Sequence, residues 1–483
     1  MLIHIGGDRW QRMRRVGLLA AMLACTACAT TPQVPVDAGM AVPSDWAESD
    51  PAAAELDLTQ YWTQLNDPLL TQFVEQAVAQ NLDLAQSAAR VKQARAQLKG
   101  ARAAYFPQLS GSAGVTRNET FRGQSIGDGT QFNVGADASW ELDLFGRISG
   151  DVAASRADLE AAGYSMGDLQ RAVVGQVAQS TIQARATALQ LAIARDTLKY
   201  QDENLQIARW RVQAGLVSSL DVEQARGQRA QTAATIPLLE SSLAATANAI
   251  STLIGEPPGR VLTLLEGSDF VPDAPALEAY EAPAGVLRRR PDVRAAEATL
   301  VANSARVGVA RAQLLPLVRL TGSIGTGGAS LGNLFDVITG NLFAGVTQLI
   351  FDGGRTRAQI DSAEAVAEGS LAAWRLAILG ALEDVETAAV DLRTARERVA
   401  IYGEALDAAN NAALLSRNQY QNGLTDFRDL LTSENQLLAA RNSLVGAEAD
   451  RASAFVRLTQ ALGGGWSPAT LPFPLPSADG NDE

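Results

Sequence analysis

The sequence has almost none of the side chains on which metal and acid–base chemistry rest. Its only histidine is His4 and its only cysteines are Cys25 and Cys28, all within the first 28 of 483 residues. Downstream there is neither a zinc ligand set nor an imidazole base, so a metal site or a His-based triad is nearly excluded and no cofactor is implied. Among 53 acidic residues no pair stands apart from solvated helix faces, which makes an enzyme the weakest class. There is no long basic run, and a net charge of -13 with a pI near 4.8 argues against nucleic acid as a partner.

What is present begins with an export signal. Arg12, Arg14 and Arg15 precede the apolar run VGLLAAMLA and then CTAC. That is the charged-then-apolar layout of a secretory leader, and the run is too short to span a bilayer as a helix. Each cysteine follows an alanine, Ala24 or Ala27, as in bacterial lipoprotein signals whose cleavage leaves a lipid-modified cysteine at the new N-terminus.

Residues 131–144 read QFNVGADASWELDL, with apolar and polar-or-glycine residues alternating without a break. Successive strand side chains face opposite ways, so this is a strand with one greasy and one wet face. At roughly 14 residues it exceeds the usual soluble strand and is long enough to cross a bilayer when tilted, so a soluble sandwich strand, the commoner case for a lone segment, and a membrane barrel strand are both open at this point.

The chain is also written twice. RWRVQAGLVSSLDV (209–222) returns about 208 positions later as RNQYQNGLTDFRDL (417–430). The same offset relates Gly146-Arg147 to Gly354-Arg355 and Gly255 to Gly463, and 101–114 parallels 310–325. Each half holds a helix rich in Ala, Arg and Gln (82–105, 292–315) that ends before Pro107 or Pro316. A pair of strands follows (108–116 with 131–144, then 317–326 with 342–351), joined by a Gly-rich loop (118–130, 327–340). A very long helix (148–213, 356–421) then reverses at Gly215 or Gly423 into a returning helix. A rod of roughly 65 residues is about 100 Å long. In the second returning helix Leu430, Leu437, Leu444 and Leu458 recur at multiples of seven beside Leu431, Leu438, Val445 and Ala452, two stripes that call for helices on both sides. Pro237 is expected to kink the first returning helix.

Four amphipathic strands cannot close a transmembrane barrel, because open edges are not tolerated in lipid. Two chains would supply 8 strands and a filled interior, whereas three supply 12 and a lumen. The expected fold class is mixed α and β: a transmembrane β-barrel of four strands per chain, continuous with a long α-helical barrel and internally duplicated. The chain divides into a signal segment (1–28), an N-terminal part (29–105), a first barrel hairpin (106–145) and a first helical hairpin (146–255). Then come a linker and helix (256–315), a second barrel hairpin (316–353), a second helical hairpin (354–463) and a tail (464–483).

The motifs YWTQLNDPLL (61–70), SWELDLFGR (139–147), LRRRPDVRAAEATLVAN (287–303), LIFDGGR (349–355) and ALGGGW (461–466) stand in family order, and with them the sequence resembles the TolC-like outer membrane efflux channels, in their NodT-like lipoprotein branch. The resemblance implies a homotrimer in outer membrane lipid, with an outer membrane β-barrel continuous with a long periplasmic α-helical barrel and equatorial parts within 29–105 and 256–315, that works with a periplasmic adaptor and an inner membrane RND-type pump to expel small toxic compounds. It favours Cys28 as the lipidated residue from its distance to Pro32, with Cys25 the alternative. It also implies a gate where the hairpin tips, at Gly215 and Gly423, close the periplasmic end. There an Asp six residues past the first tip glycine bonds a Tyr three before the second, which here are Asp221 and Tyr420. Asp429 matches a pore-facing Asp ring. A second ring position is Thr432, and an Arg used in a further link is replaced by Thr425. The competing readings are Asp221 as a helix cap and Tyr420 as a packing residue. Asp426 and Arg428 are solvated tip residues or adaptor contacts.

Two rival functions remain at this stage. A type I protein secretion channel would share fold and gate, but the lipoprotein signal favours efflux. A periplasmic coiled-coil adaptor would explain the helices and leave the strands unused.

Overall fold

The computed structural model describes residues 39–47, 58–122, 129–267, 269–275, 277 and 281–467. Cys25, Cys28 and most of the tail lie outside the described residues. After a short 3-10 turn at Tyr61–Leu65, helices α1 (Pro68–Gln80) and α2 (Leu82–Ala103) lead into strands β1 (Gln108–Asn118) and β2 (Gly129–Leu142). Helices α3 (Arg147–Gln213) and α4 (Ser219–Leu253) form the first long hairpin, and α5 (Arg260–Leu265) and α6 (Pro283–Arg289) connect the halves. The second half repeats the plan: α7 (Pro291–Ala312), β3 (Leu317–Gly328), β4 (Ile338–Thr347), α8 (Arg355–Gln421) and α9 (Phe427–Ala461). The duplicated helices match in length, 22 residues for α2 and α7, 67 for α3 and α8, and 35 for α4 and α9.

The duplication extends to the hydrogen bonds that stop the chain. Gly215 and Gly423 sit at φ 71 and 72, a conformation that glycine adopts without a Cβ penalty. Each is followed by a leucine N–H that reaches back to a carbonyl in the last turn, Leu216 to Arg211 and Leu424 to Gln419, both at 2.9 Å. This is the paired-bond ending that satisfies helix C-terminal carbonyls, and Gly255 and Gly463 end the returning helices the same way. At the barrel side, Asp143 accepts from the N–H groups of Ile148 (3.0 Å) and Ser149 (2.7 Å) to start α3, and Asp352 accepts from Gly354 and Thr356 to start α8.

The four strands form one antiparallel sheet in the order β1-β2-β3-β4. Its register keeps the two faces distinct across the junction of the halves. Directly opposed residues lie on the same face. Val115 opposes Phe132, Leu109 opposes Ala138, Ala136 opposes Ile324, Trp140 opposes Leu320 and Val318 opposes Val346 on the greasy side. The wet side carries Ser110 with Asp137, Ser139 with Thr321, Glu141 with Arg319 and Ser323 with Asn341.

One expectation needs correction. The fourth strand runs over Ile338–Thr347 rather than 342–351. Its partner β3 begins at Leu317, just past Pro316, and pairs Leu317 with Thr347, so nothing remains for later residues to pair with. The chain beyond is tied instead by Gln348, whose amide donates to the Leu314 carbonyl, as the Trp140 indole donates to that of Tyr105 in the first half. Helix α4 continues through Pro237.

The helices continue the order of the strands. Near the sheet the neighbours are α2-α3-α7-α8, and towards the far end α4-α3-α9-α8. A large core sits between these levels, where Tyr61, Phe73, Ile182, Ile250 and Phe455 are sealed from solvent.

Candidate functional site

The far ends of the two helical hairpins meet in a small core of their own. Leu205 and Ala208 of α3, Ala225 of α4, Tyr420 of α8, and Phe427 and Leu430 of α9 are buried together. The Tyr420 and Phe427 rings lie 5.4 Å apart in a tilted arrangement. On the other side of Tyr420 the Arg211 guanidinium stands 4.3 Å from the ring centroid, within cation–π range. The same guanidinium donates to the backbone carbonyls of Tyr420 and Gln421, each at 3.4 Å.

The Tyr420 hydroxyl is buried and, among the described residues, has no hydrogen-bond partner. The bond expected between it and Asp221 is therefore absent within the chain, although Asp221 is close enough for its charge to act on the phenol. Burial raises the Tyr420 phenol above its ordinary value, with Arg211 opposing and Asp221 adding to the rise. Asp221 is raised as well, by burial and by the charge of Asp426.

The cap reading of Asp221 is not what the geometry shows either. Ser218 is the N-cap of α4, accepting from the Leu220 N–H, and Asp221 stands in the first turn beyond it. Asp426 is the equivalent cap of α9 and accepts from the Asp429 N–H at 2.9 Å. The Asp429 carboxylate accepts from the Thr425 hydroxyl at 2.6 Å. Thr425, standing where the resemblance calls for an Arg, thus holds an aspartate within its own turn. Arg428, Gly215 and Gly423 are exposed at the tip.

Residues outside the expected set bind the hairpins together above the tip. Glu434 of α9 receives both Asn204 of α3 (2.8 and 3.0 Å) and Arg417 of α8 (3.3 Å), so one partly buried carboxylate joins three helices. Arg211 and Glu434 have sequence signals that are easy to pass over. Arg211 lies in the repeated segment, but the duplicate position is Gln419.

Among the described residues no group of His, Cys, Asp and Glu is placed to hold a metal. One helix, α8, contains a window long and apolar enough to cross a membrane by composition, and only 17% of that window is buried. It lies at the edge of the helical layer, so its free apolar side is a face awaiting a neighbour.

The chain matches the family model of outer membrane efflux proteins over residues 73–256 and 283–464. It is 31% identical to nodulation protein T of Rhizobium leguminosarum bv. trifolii over 441 residues, spanning 89% of this chain and 93% of that one. It is 32% identical to the pyoverdine export outer membrane protein OpmQ of Pseudomonas aeruginosa over 466 residues, 94% of this chain and 97% of the relative. The solved outer membrane channel OprN superposes with a TM-score of 0.79 at 31% identity, covering 90% of this chain and 98% of that channel. These relatives are channel and transport proteins, and the family forms trimeric outer membrane channels that work with efflux pumps. The greasy face of the sheet is therefore its lipid face, and the long helices stand in the periplasm. The chain belongs to the outer membrane efflux protein family, in its TolC-like, NodT-like branch, and is the outer membrane channel component of a tripartite efflux system.

Proposed function

We propose that three copies of this chain close into one tube that receives cargo from an RND-type pump through a periplasmic adaptor, with the hairpin tips as its closable inner end. The observation that carries this is the match between sheet and helical layer. Both have the same open edges, β1 with α2 and α4 on one side and β4 with α8 on the other. An exposed strand edge in lipid leaves a row of unpaired backbone groups, and joining β4 to β1 of the next copy satisfies both edges while preserving the antiparallel alternation. The same step covers α8, where Leu376, Leu379, Ile401 and Leu415 are exposed on one long helix. Three copies give 12 strands, enough for a water-filled lumen.

At the tip, Tyr420 acts as a buried wedge, Asp221 and Asp429 carry the charge of the constriction, and Gly215 and Gly423 make the turns. Arg428 and the Asp426 turn form the surface offered to the adaptor. Cys28 receives the lipid, or Cys25 in its place. Purified full-length protein is expected to have the mass of a trimer and to conduct ions in planar bilayers. A monomer or dimer would sink the tube. Arg428→Glu should lower dye extrusion in a strain that depends on this channel while leaving the trimer intact. Palmitate labelling should disappear with Cys28→Ala; labelling lost only with Cys25→Ala would move the anchor to Cys25.

A further inference from the structure

The tip core is lopsided in a way the duplication makes visible. Helix ends, turn glycines and N-caps are the same in both halves, with Ser218 matched by Asp426 and Asp221 by Asp429. Among the positions that differ between the halves, three meet in this core. Arg211 faces Gln419 in the repeat, Val212 faces Tyr420, and Ser219 faces Phe427. The first half has contributed a cation and the second half two aromatic rings, and these three side chains are the ones in contact.

Arg211 is placed to do two things at once. Its guanidinium covers the Tyr420 ring, and its N–H groups reach the Tyr420 and Gln421 carbonyls at the C-terminal end of α8. Those carbonyls carry the negative end of the helix dipole, so a cation there gains from the ring quadrupole and the helix terminus together. The planar fork of arginine suits both contacts, whereas a lysine ammonium is a compact point charge. The Tyr420 hydroxyl, by contrast, contributes no bond.

We infer that Arg211 is the latch of the periplasmic gate, pinning the end of α8 to the end of α3 through the face and backbone of Tyr420, with no part taken by the tyrosine hydroxyl. This rests on the reading of the tips as a gate. Opening moves the α8–α9 hairpin away from the α3–α4 hairpin, and the Arg211 contacts are the polar links between them at the last turn. A trimer carries three such latches, so their loss acts threefold on one closed state.

The test is single-channel conductance of the full-length trimer in planar bilayers, for the wild type and for Arg211→Gln, Arg211→Lys and Tyr420→Phe. Arg211→Gln should raise conductance several-fold with the heat stability of the trimer unchanged. Arg211→Lys should fall between it and the wild type, and Tyr420→Phe should conduct like the wild type. A wide-open Tyr420→Phe channel with Arg211→Gln still closed would overturn the latch and restore the hydroxyl link, leaving the gate in place. Polyethylene glycols of graded size, added to one side at a time, test the gate separately. Large polymers should be shut out from the helical end of the wild type and admitted from that end in Arg211→Gln. If they enter the wild type freely from the helical end, the constriction is elsewhere and the gate reading itself falls.

Discussion

The Arg185 guanidinium holds the Asp67 carboxylate through two bonds, Nε to Oδ2 at 2.9 Å and Nη2 to Oδ1 at 2.8 Å, and no solvent reaches the aspartate side chain. The same carboxylate caps α1 by accepting from the Leu69 and Leu70 N–H groups. The aspartate of the YWTQLNDPLL motif therefore ties the N-terminal segment to the middle of α3. Asp67→Ala removes the buried carboxylate that both pairs with this guanidinium and caps α1, a change that costs about 3–5 kcal/mol. It should lower the temperature at which the trimer dissociates on heating by many degrees. Arg185→Ala should do comparable damage, and an unchanged melting profile in either variant would show the pair to be dispensable.

The terminal GGGW works by close approach. Gly465 N–H donates to the Leu58 carbonyl at 3.0 Å, and a Cβ on Gly464 would stand 2.7 Å from the Leu58 oxygen and 2.8 Å from that of Thr459. Both obstacles are backbone and cannot rotate away. Trp466 then inserts among Leu98, Leu159 and Met166. Gly464→Ala should cost about 1–3 kcal/mol through overpacking. The measurement is again heat dissociation of the trimer, with Gly227→Ala as the comparison, since a Cβ there meets nothing within 4 Å.

The sheet register makes a sharper prediction about which side chains meet lipid. Ala138 lies on the greasy face, opposed to Leu109 and Gly322, while Ser323 lies on the wet face opposed to Asp137 and Asn341. An arginine facing lipid near the bilayer middle costs about 2–4 kcal/mol, whereas one facing a water-filled lumen stays hydrated and avoids that cost. Ala138→Arg should therefore reduce folded trimer in outer membrane fractions, and Ser323→Arg should leave its amount unchanged while altering ion selectivity. Equal yields from the two variants would mean that the faces are assigned the wrong way round.

Much of this was legible in the sequence because the determinants are local and repeated. The long helices were placed within a residue of their observed starts, since Gly146-Arg147 and Gly354-Arg355 mark the αL turn that precedes each. The fourth strand was misplaced because residues 338–341 do not alternate, and its limits are set by pairing with β3 rather than by its own pattern. The tip contacts were harder to foresee. The Arg211–Tyr420 stack joins residues 209 positions apart, and nothing in either local pattern says which face of α3 meets which face of α8. Motif position pointed to Asp221 and Tyr420 as neighbours, which they are, but hydrogen bonding depends on where the hydroxyl ends up, and here it is enclosed by the core.

The charge pair at the tip predicts how the channel responds to acid. In the closed arrangement Asp221 has Asp426 close by, and its carboxyl is raised above the ordinary value by burial and then by that charge. A raised carboxyl means that the closed tip favours the protonated form more than an opened tip does, where Asp221 regains water. Proton uptake is thus linked to closing, and the stabilisation is present at low pH and lost as pH rises through the shifted value. Conductance in planar bilayers should fall as pH is lowered from neutrality towards the ordinary carboxylate range, with the change beginning above that range because the Asp221 carboxyl is raised. Asp221→Asn removes both the charge and the titration, so it should conduct less than the wild type at neutral pH and show a flatter pH profile. Asp426→Asn should have a similar but smaller effect, because it removes the repulsion and leaves the burial of Asp221. If conductance rises on acidification, or if Asp221→Asn opens the channel, the Asp221 carboxylate is holding the tip shut, and a hydrogen bond formed in the assembled trimer is its means of doing so.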